Sequence, residues 1–416
     1  MVNLKTFLPQ WLCVLALFVA PSAEAVNKEI RALFRPDSAN PQRNMFVNQT
    51  PSTGYCEYYP AICDNSDTFS IRLMTRVESN RAIEADAGPR ASAMFKVPGA
   101  WRSLTVRNAD TGEVETVEVR ISGVGSNYVL SKNVVDLTGA SNAGEGHDRL
   151  WKGAGWVYPA PPCSTTGMGF FSSNSYAFFW KTPDERACVK VANFPIPAMT
   201  YTYVDFAYEL RTPNPLTMSS GLYTGSLSYS LGPNGDFDFG DVMIPNDSDL
   251  TLDFVLDVQH TLKVEIPPGG EKIQLVPAGG WQGWLQSGRR PVNLFRDQTF
   301  NISASSRFKM LMGCGPGVNG ECALEDIETK RRVELFVSVS LPNGITDLSG
   351  QPVRRLRLKT GAGNELYFKP GFYVDRAPGT LHFEVPPHSM ANMLRPGEGI
   401  GGKYSGVVVV IWDSEV

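Results

Sequence analysis

Four histidines, His147, His260, His382 and His388, are the residues best suited to proton transfer or metal ligation, and they are scattered along the chain. His382 falls in an alternating strand pattern and His260 at a break in another. No G-x-S-x-G, H-E-x-x-H or P-loop is present. Gly397–Gly402 (GEGIGG) fits G-x-G-x-x-G, but it lacks the preceding strand and following helix that would aim amides at a pyrophosphate, so it reads as a loop. Asp236, Asp238 and Asp241, with Asp247 and Asp249 nearby, offer oxygens to calcium. They lack the glycine and terminal glutamate of an EF-hand loop, and Asp236-Phe237-Asp238-Phe239 alternates like a half-buried strand with a wet face. A glycosidase needs two carboxylates roughly 5–10 Å apart. Asp148 and Glu185 are candidates whose separation the sequence does not fix. The chain therefore reads as a non-enzymatic protein with no metal and no cofactor. A carbohydrate-active β-sandwich is the catalytic alternative.

The cysteines indicate the compartment. Trp11–Ala20 is a short apolar run after Lys5, and Ala23-Glu24-Ala25 supplies a small-x-small cleavage pattern. Residues 1–25 read as a secretory signal peptide, too short to span a bilayer. Cys13 leaves with it. Cys56, Cys63, Cys163, Cys188, Cys314 and Cys322 remain, in three sequence-local pairs. Exported chains oxidise, so disulfides 56–63, 163–188 and 314–322 are expected among the fifteen conceivable connectivities. None has the C-x2-C spacing of zinc or redox sites.

Binding chemistry is concentrated in aromatic residues. Between His147 and Trp180 stand Trp151, Trp156, Tyr158, Phe170, Phe171, Tyr176, Phe178, Phe179 and Trp180, interleaved with Gly, Ser and Asn. A second group, Tyr58 and Tyr59, lies inside the expected Cys56–Cys63 loop. Rigid rings beside amides and hydroxyls suit sugar or protein recognition, because little side-chain entropy is lost. The alternative is that the rings fill a core. Trp151, Trp156 and Tyr158 flank Gly and Pro and are the expected exposed members. A net charge of −4 argues against a nucleic-acid partner.

The elements that must hold these residues are strands. There are 39 Gly and 30 Pro, only 19% of residues are charged, and long helical periodicity is nearly absent. Residues 103–107 and 115–121 flank turn residues and read as a hairpin. Val333, Leu335, Val337, Val339 and Leu341 share one face of a strand, as do Leu381, Phe383 and Val385. Residues 250–266 alternate too. Their apolar face runs from Leu250 to Ile266, and His260 marks the expected bend. Residues 323–331 form the one expected helix outside the signal. The turn-rich stretch 233–248 reads as a linker between domains 26–232 and 249–416. The fold class is all-β, with two sandwich domains.

The last residues pose a partner problem. Val407–Trp412 is apolar on both faces, which expects burial on both sides. Only four residues follow, too few to return and pair. A bare apolar edge is an aggregation hazard that a strand from another chain would remove.

Several segments carry a family resemblance: the signal peptide, residues 34–56, the closing strand at 221–240, the alternating start of the second domain, and GKYSGVVVVIW near the end. The layout resembles the two-domain tip adhesins of chaperone–usher pili. The resemblance implies export through the periplasm to the fimbrial tip at the cell surface. It implies a lectin-like receptor-binding domain, immunoglobulin-like or jelly-roll in fold. It also implies a pilin domain whose incomplete immunoglobulin-like fold takes a donated strand. The implied partners are a periplasmic chaperone, an outer-membrane usher, an adjacent pilin and a receptor, glycan or protein. Tyr404, Val407, Val409 and Ile411 would line the donor edge, where a charge at Val409 or Ile411 should abolish rescue by a chaperone. The Val416 carboxylate would meet the chaperone's basic cleft. Residues 26–34 alternate in part (Ile30, Ala32 and Phe34) and read as the first strand of domain one. If they served instead as a donor strand, the chain would be an internal, structural subunit without receptor binding.

Overall fold

The computed structural model describes residues 26–414 apart from 67, 289, 316, 396–398 and 401. The expected signal peptide, the Val416 carboxylate and half of the 397–402 loop lie outside the described residues. The main strands, in chain order, are β1 (Val26–Phe34), β2 (Phe69–Leu73), β3 (Arg102–Asn108), β4 (Val114–Leu130), β5 (Ser164–Phe171), β6 (Ser175–Lys181), β7 (Val204–Arg211), β8 (Gly221–Ser230) and β9 (Asp249–Val258). After them come β10 (Leu262–Glu265), β11 (Leu294–Ala304), β12 (Phe308–Cys314), β13 (Glu321–Asp326), β14 (Arg332–Ser340), β15 (Leu366–Pro370), β16 (Val374–Val385), β17 (Tyr404–Ser405) and β18 (Val408–Ser414). The protein is all-β. Among the described residues no helix is long and apolar enough to cross a membrane.

Two hydrophobic clusters organise the chain, one drawn from residues 30–258 and one from 294–393. The spine of the first is β4, seventeen residues long. It pairs with β3 as the expected hairpin (Arg102 opposite Val119, Arg107 opposite Val114), then with β7 and β6. Such a strand serves several partners only by curling, and glycines let one partner approach closely. A Cβ at Gly125 would stand 2.5 Å from the Phe178 carbonyl oxygen. β8 and β9 pair antiparallel from Gly221–Val258 to Ser230–Asp249. β1 pairs parallel with β9, from Val26–Leu250 to Phe34–Val258. Ile30, Ala32 and Phe34 are buried, so β1 is committed to the first sheet.

This pairing corrects the expected start of the second half. The apolar face of β9, Leu250 to Val258, is buried in the first cluster, not the second. The chain turns at 259–261, around His260 as expected, and only β10 joins the second half. Residues 233–248 are not an exposed linker either. Phe237, Phe239, Val242 and Met243 are fully buried in the first core. Turn-forming composition set the local path there, but the apolar side chains between those residues are too costly to leave in water.

The second half is two facing sheets. One runs β10–β11–β16–β14–β13; the other runs from residues 345–347 through β15 and β12 to β18. The alternation of β14 buries Val333, Leu335, Val337 and Val339 as expected. The expected helix at 323–331 is strand β13 followed by a turn. Pairing with β14 (Cys322 opposite Leu335, Glu325 opposite Arg332) outweighs helix propensity. In the turn, Asp326 accepts hydrogen bonds from Glu328 N and Thr329 Oγ1 at 3.1 and 2.7 Å. Disulfides join Cys56–Cys63, Cys163–Cys188 and Cys314–Cys322, the sequence-local pairing.

Candidate functional site

Strand β18 forms the edge of a sheet. β18 pairs antiparallel with β12, Val408 opposite Cys314 and Ser414 opposite Phe308. Among the described residues no strand pairs with its other side. Across the sandwich, β10 is likewise the terminal strand of its sheet, paired among the described residues only with β11. Two sheet edges thus flank one side of the second core.

Alternation divides β18 into two faces. Val408, Val410 and Trp412 are half-buried against the second core. Leu262 and Val264 of β10 pack on the same core. The Trp412 ring meets Phe300 edge-on at 5.5 Å, and its buried Nε1 has no hydrogen-bond acceptor among the described residues. Val407, Val409 and Ile411 point the other way and are 65%, 49% and 48% exposed. The stretch is therefore not buried on both sides, and the residues turned to the core are the even-numbered ones. Tyr404 does not continue this edge. It lies on β17, which pairs with β13 in the opposite sheet (Asp326 opposite Tyr404). The chain crosses between sheets at Gly406–Val407, which a linear reading of an apolar run cannot reveal.

In the first half the structure divides the aromatic candidates. Trp151 and Trp156, expected at the surface, are buried at 1% and 0% exposure. Backbone pairing sets Trp151 against Ala192, and beside Trp156 stands Lys190, itself 1% exposed. Its Nζ donates to the carbonyls of Lys152, Ala154 and Tyr158 at 3.2, 2.8 and 3.0 Å. That cation ties down the 152–158 loop, which carries the Trp156 indole into the core. Burial pushes the Lys190 ammonium down to about 8. A chain of hydrogen bonds fixes the rings. Trp151 Nε1 donates to Tyr128 Oη at 3.1 Å, Tyr128 to His147 Nδ1 at 2.7 Å, and His147 Nε2 to the Ser172 carbonyl at 2.9 Å. Trp156 stacks on Trp180 at 5.0 Å.

Tyr158 and Tyr58 are exposed, at 60% and 63%. Tyr59 is half-buried beside Tyr55, which stacks on Phe179 at 4.1 Å. Sequence reasoning missed Arg72. Its guanidinium lies 3.7 Å from the Tyr203 ring centre and 5.9 Å from that of Tyr58. It donates to both carboxylate oxygens of buried Asp205, at 2.7 and 2.8 Å. Arg72 and Asp205 pair across β2 and β7, register partners 133 residues apart that no local pattern links. Phe170 and Phe171, on the outermost strand of this region, are exposed. A cleft of about 430 Å³ lies beside the Cys56–Cys63 loop, lined by Met45, Phe69, Asp64 and Glu209 among others.

The acidic stretch at 236–241 is neutralised by arginine. Asp236 pairs with Arg102 at 2.5 Å, and Asp238 and Asp241 both pair with Arg90, at 2.7 and 2.6 Å. Asp238 is buried, so the expected wet carboxylate face is in part an internal ion pair. Among the described residues no cluster of His, Cys, Asp or Glu could hold a metal ion.

No family model matches the chain, and no curated protein matches it. Solved structures do. The chain is similar to tip subunits of chaperone–usher pili. CfaE, the adhesive subunit of CFA/I fimbria of enterotoxigenic E. coli, matches at 9% identity over 94% of each chain, with a TM-score of 0.27. A chaperone–tip adhesin complex of CFA/I fimbriae matches at 11% identity over 94% of this chain and 97% of that one, TM-score 0.26. The CsuC–CsuE pre-assembly complex from the archaic Csu pili of Acinetobacter baumannii matches at 9% identity over 94% and 98%, TM-score 0.22. Similarity at these levels carries no functional argument by itself.

Proposed function

We propose that this chain is a fimbrial tip adhesin. Residues 26–258 bind a receptor, and residues 262–416 join a pilus by accepting a strand from another subunit. The observation that carries the reading is the free edge of β18 opposite the free edge of β10. Between them lie half-buried Val408, Val410, Trp412, Leu262 and Val264. An incoming strand would satisfy the edge amides and carbonyls of β18 and cover those side chains at once. It could also offer a carbonyl to Trp412 Nε1. A periplasmic chaperone would supply the strand first, an adjacent pilin at the usher later. The commitment of β1 to the first sheet favours a tip over an internal subunit. Receptor contact falls to the exposed rings Tyr58, Tyr158, Phe170 and Phe171, whose faces suit a glycan, and no catalytic group is required.

The test is periplasmic expression with and without the chaperone of the same pilus. Alone, the chain should be degraded or aggregate; with the chaperone it should accumulate as a soluble complex. A stable, soluble monomer in the absence of any chaperone would overturn the donated strand. Binding of that complex to a glycan array, lost on Tyr58→Ala or Tyr158→Ala, tests the receptor half separately.

A further inference from the structure

We propose that His260 is a proton-sensitive clasp between the two halves: neutral, it holds them through both ring nitrogens, and protonated, it lets go. The inference is independent of the receptor and of pilus assembly. His260 lies in the 259–261 crossover, the covalent bridge between the strands of the two clusters. Its Nε2 meets the Met218 carbonyl of the first half at 2.9 Å, and its Nδ1 meets Ser305 Oγ of the second at 3.1 Å. Its ring packs edge-on against Phe34 at 5.5 Å.

The partners fix the tautomer. A carbonyl only accepts, so Nε2 carries the proton. The neutral ring then offers only a lone pair at Nδ1, so Ser305 Oγ, which accepts from Thr261 N at 2.8 Å, gives its own hydrogen to Nδ1. Ser305 N donates back to the Thr261 carbonyl at 3.0 Å, and Ser305 is fully buried. While His260 is neutral every donor in this ring of contacts has an acceptor. A proton on Nδ1 faces the Ser305 hydroxyl hydrogen. That hydrogen must then turn away from the ring inside the buried surroundings of Ser305, and an unmet buried donor is costly.

The surroundings bring little compensating charge. From the turn between β3 and β4, Glu113 favours the protonated form, but it is already held by Tyr223 and by Ser219 N. From the end of β1, Arg35 donates to Gln259 at 2.8 Å, and Gln259 in turn donates to Asp257. From the second half, Arg307, Lys309 and Asp413 line a polar cleft of about 560 Å³ that also takes in Met218 and Ser306. Lys309 and Asp413 lie 3.2 Å apart. Burial is the largest influence on the ring and lowers its proton affinity below that of a free histidine. The cleft gives water a route to the ring once the contact opens. The sign follows. The separated halves bind the proton more readily than the joined ones. The joint is therefore at full strength above the ordinary histidine range and weakens as pH falls through it, by up to about tenfold per pH unit in the joined-to-separated ratio.

The experiment is small-angle X-ray scattering of the full mature chain as isolated, with any chaperone bound, between about pH 7.5 and about pH 5. The wild type should expand reversibly on acidification. His260→Gln offers a donor and an acceptor without titrating, so it should keep one radius throughout. An equal expansion in His260→Gln would assign the effect to another group, the buried His147 foremost, and overturn the proposal; so would a wild type that does not expand. If His260→Gln fails to fold, nitrogen-15 NMR of the wild-type ring decides. The Nε2–H tautomer with titration below the free-histidine value supports the clasp, and ordinary titration or the opposite tautomer overturns it.

Discussion

Replacing Val410 by lysine tests the open edge most directly, because its neighbour Ile411 supplies a control on the opposite face of the same strand. Val410 is half-buried on the second core, whereas Ile411 is 48% exposed and points away. Burying a valine fully is worth about 1.5–3 kcal/mol, so about 1 kcal/mol of that remains for an incoming strand to gain. Val410→Lys forfeits this gain and sets an ammonium against the groove. The flexible stem relieves part of the desolvation cost, leaving a total loss of about 2–4 kcal/mol. That corresponds to about 30- to 700-fold weaker capture of the strand. Ile411→Lys should change capture by less than about threefold, as surface substitutions do. The assay is competition: wild type and one variant, differently tagged, are co-expressed with limiting chaperone, and the ratio of the complexes is read directly. If Ile411→Lys is excluded as strongly as Val410→Lys, or both compete like wild type, then the inner face of β18 is not where a strand docks. The same comparison decides between the inner face and Val409 and Ile411, the positions expected from the sequence to be sensitive.

The buried cation of the first half gives a second prediction. Lys190→Met leaves the loop carbonyls of Lys152, Ala154, Gly155 and Tyr158 without this donor and should cost about 3 kcal/mol in denaturant unfolding. Because burial lowers the Lys190 pKa to about 8, the folded state sheds this proton before the unfolded chain does. Wild-type stability should therefore gain a contribution as pH rises from about 8 towards the free-lysine value of about 10.4, and Lys190→Met should lack it. The aromatic candidates should separate in thermal unfolding. Trp156→Ala should cost about 3–5 kcal/mol as a core truncation, and Tyr158→Ala should stay within about 0.5 kcal/mol. Equal effects would contradict the inward turn of the 152–158 loop.

Much of the strand content was legible because alternation is a local consequence of the pleat. The β9 and β14 faces, the β3–β4 hairpin and the break at His260 all follow from side chains two residues apart on a chain whose apolar groups must leave water. Disulfide pairing was legible for a related reason: short loops bring cysteines together at small entropic cost. The candidate sites were less so. Trp151 and Trp156 sit beside Gly and Pro like surface residues, and contacts with the later segment at Lys190 and Ala192 hold them inward. Arg72 carries no local signal at all, since its partner Asp205 lies on a strand formed 133 residues later.

By itself the sequence determined the class of structure, the spacing of its faces, and the apolar run at 407–412. These depend on nearest neighbours and on hydrophobicity, which composition and period express. Which sheet received β9, which face of β18 turned inward, and how His260 came to touch both halves were decided by tertiary pairing. Such contacts join residues far apart in the chain, and their energies exist only once the backbone has brought the partners within hydrogen-bonding or van der Waals distance.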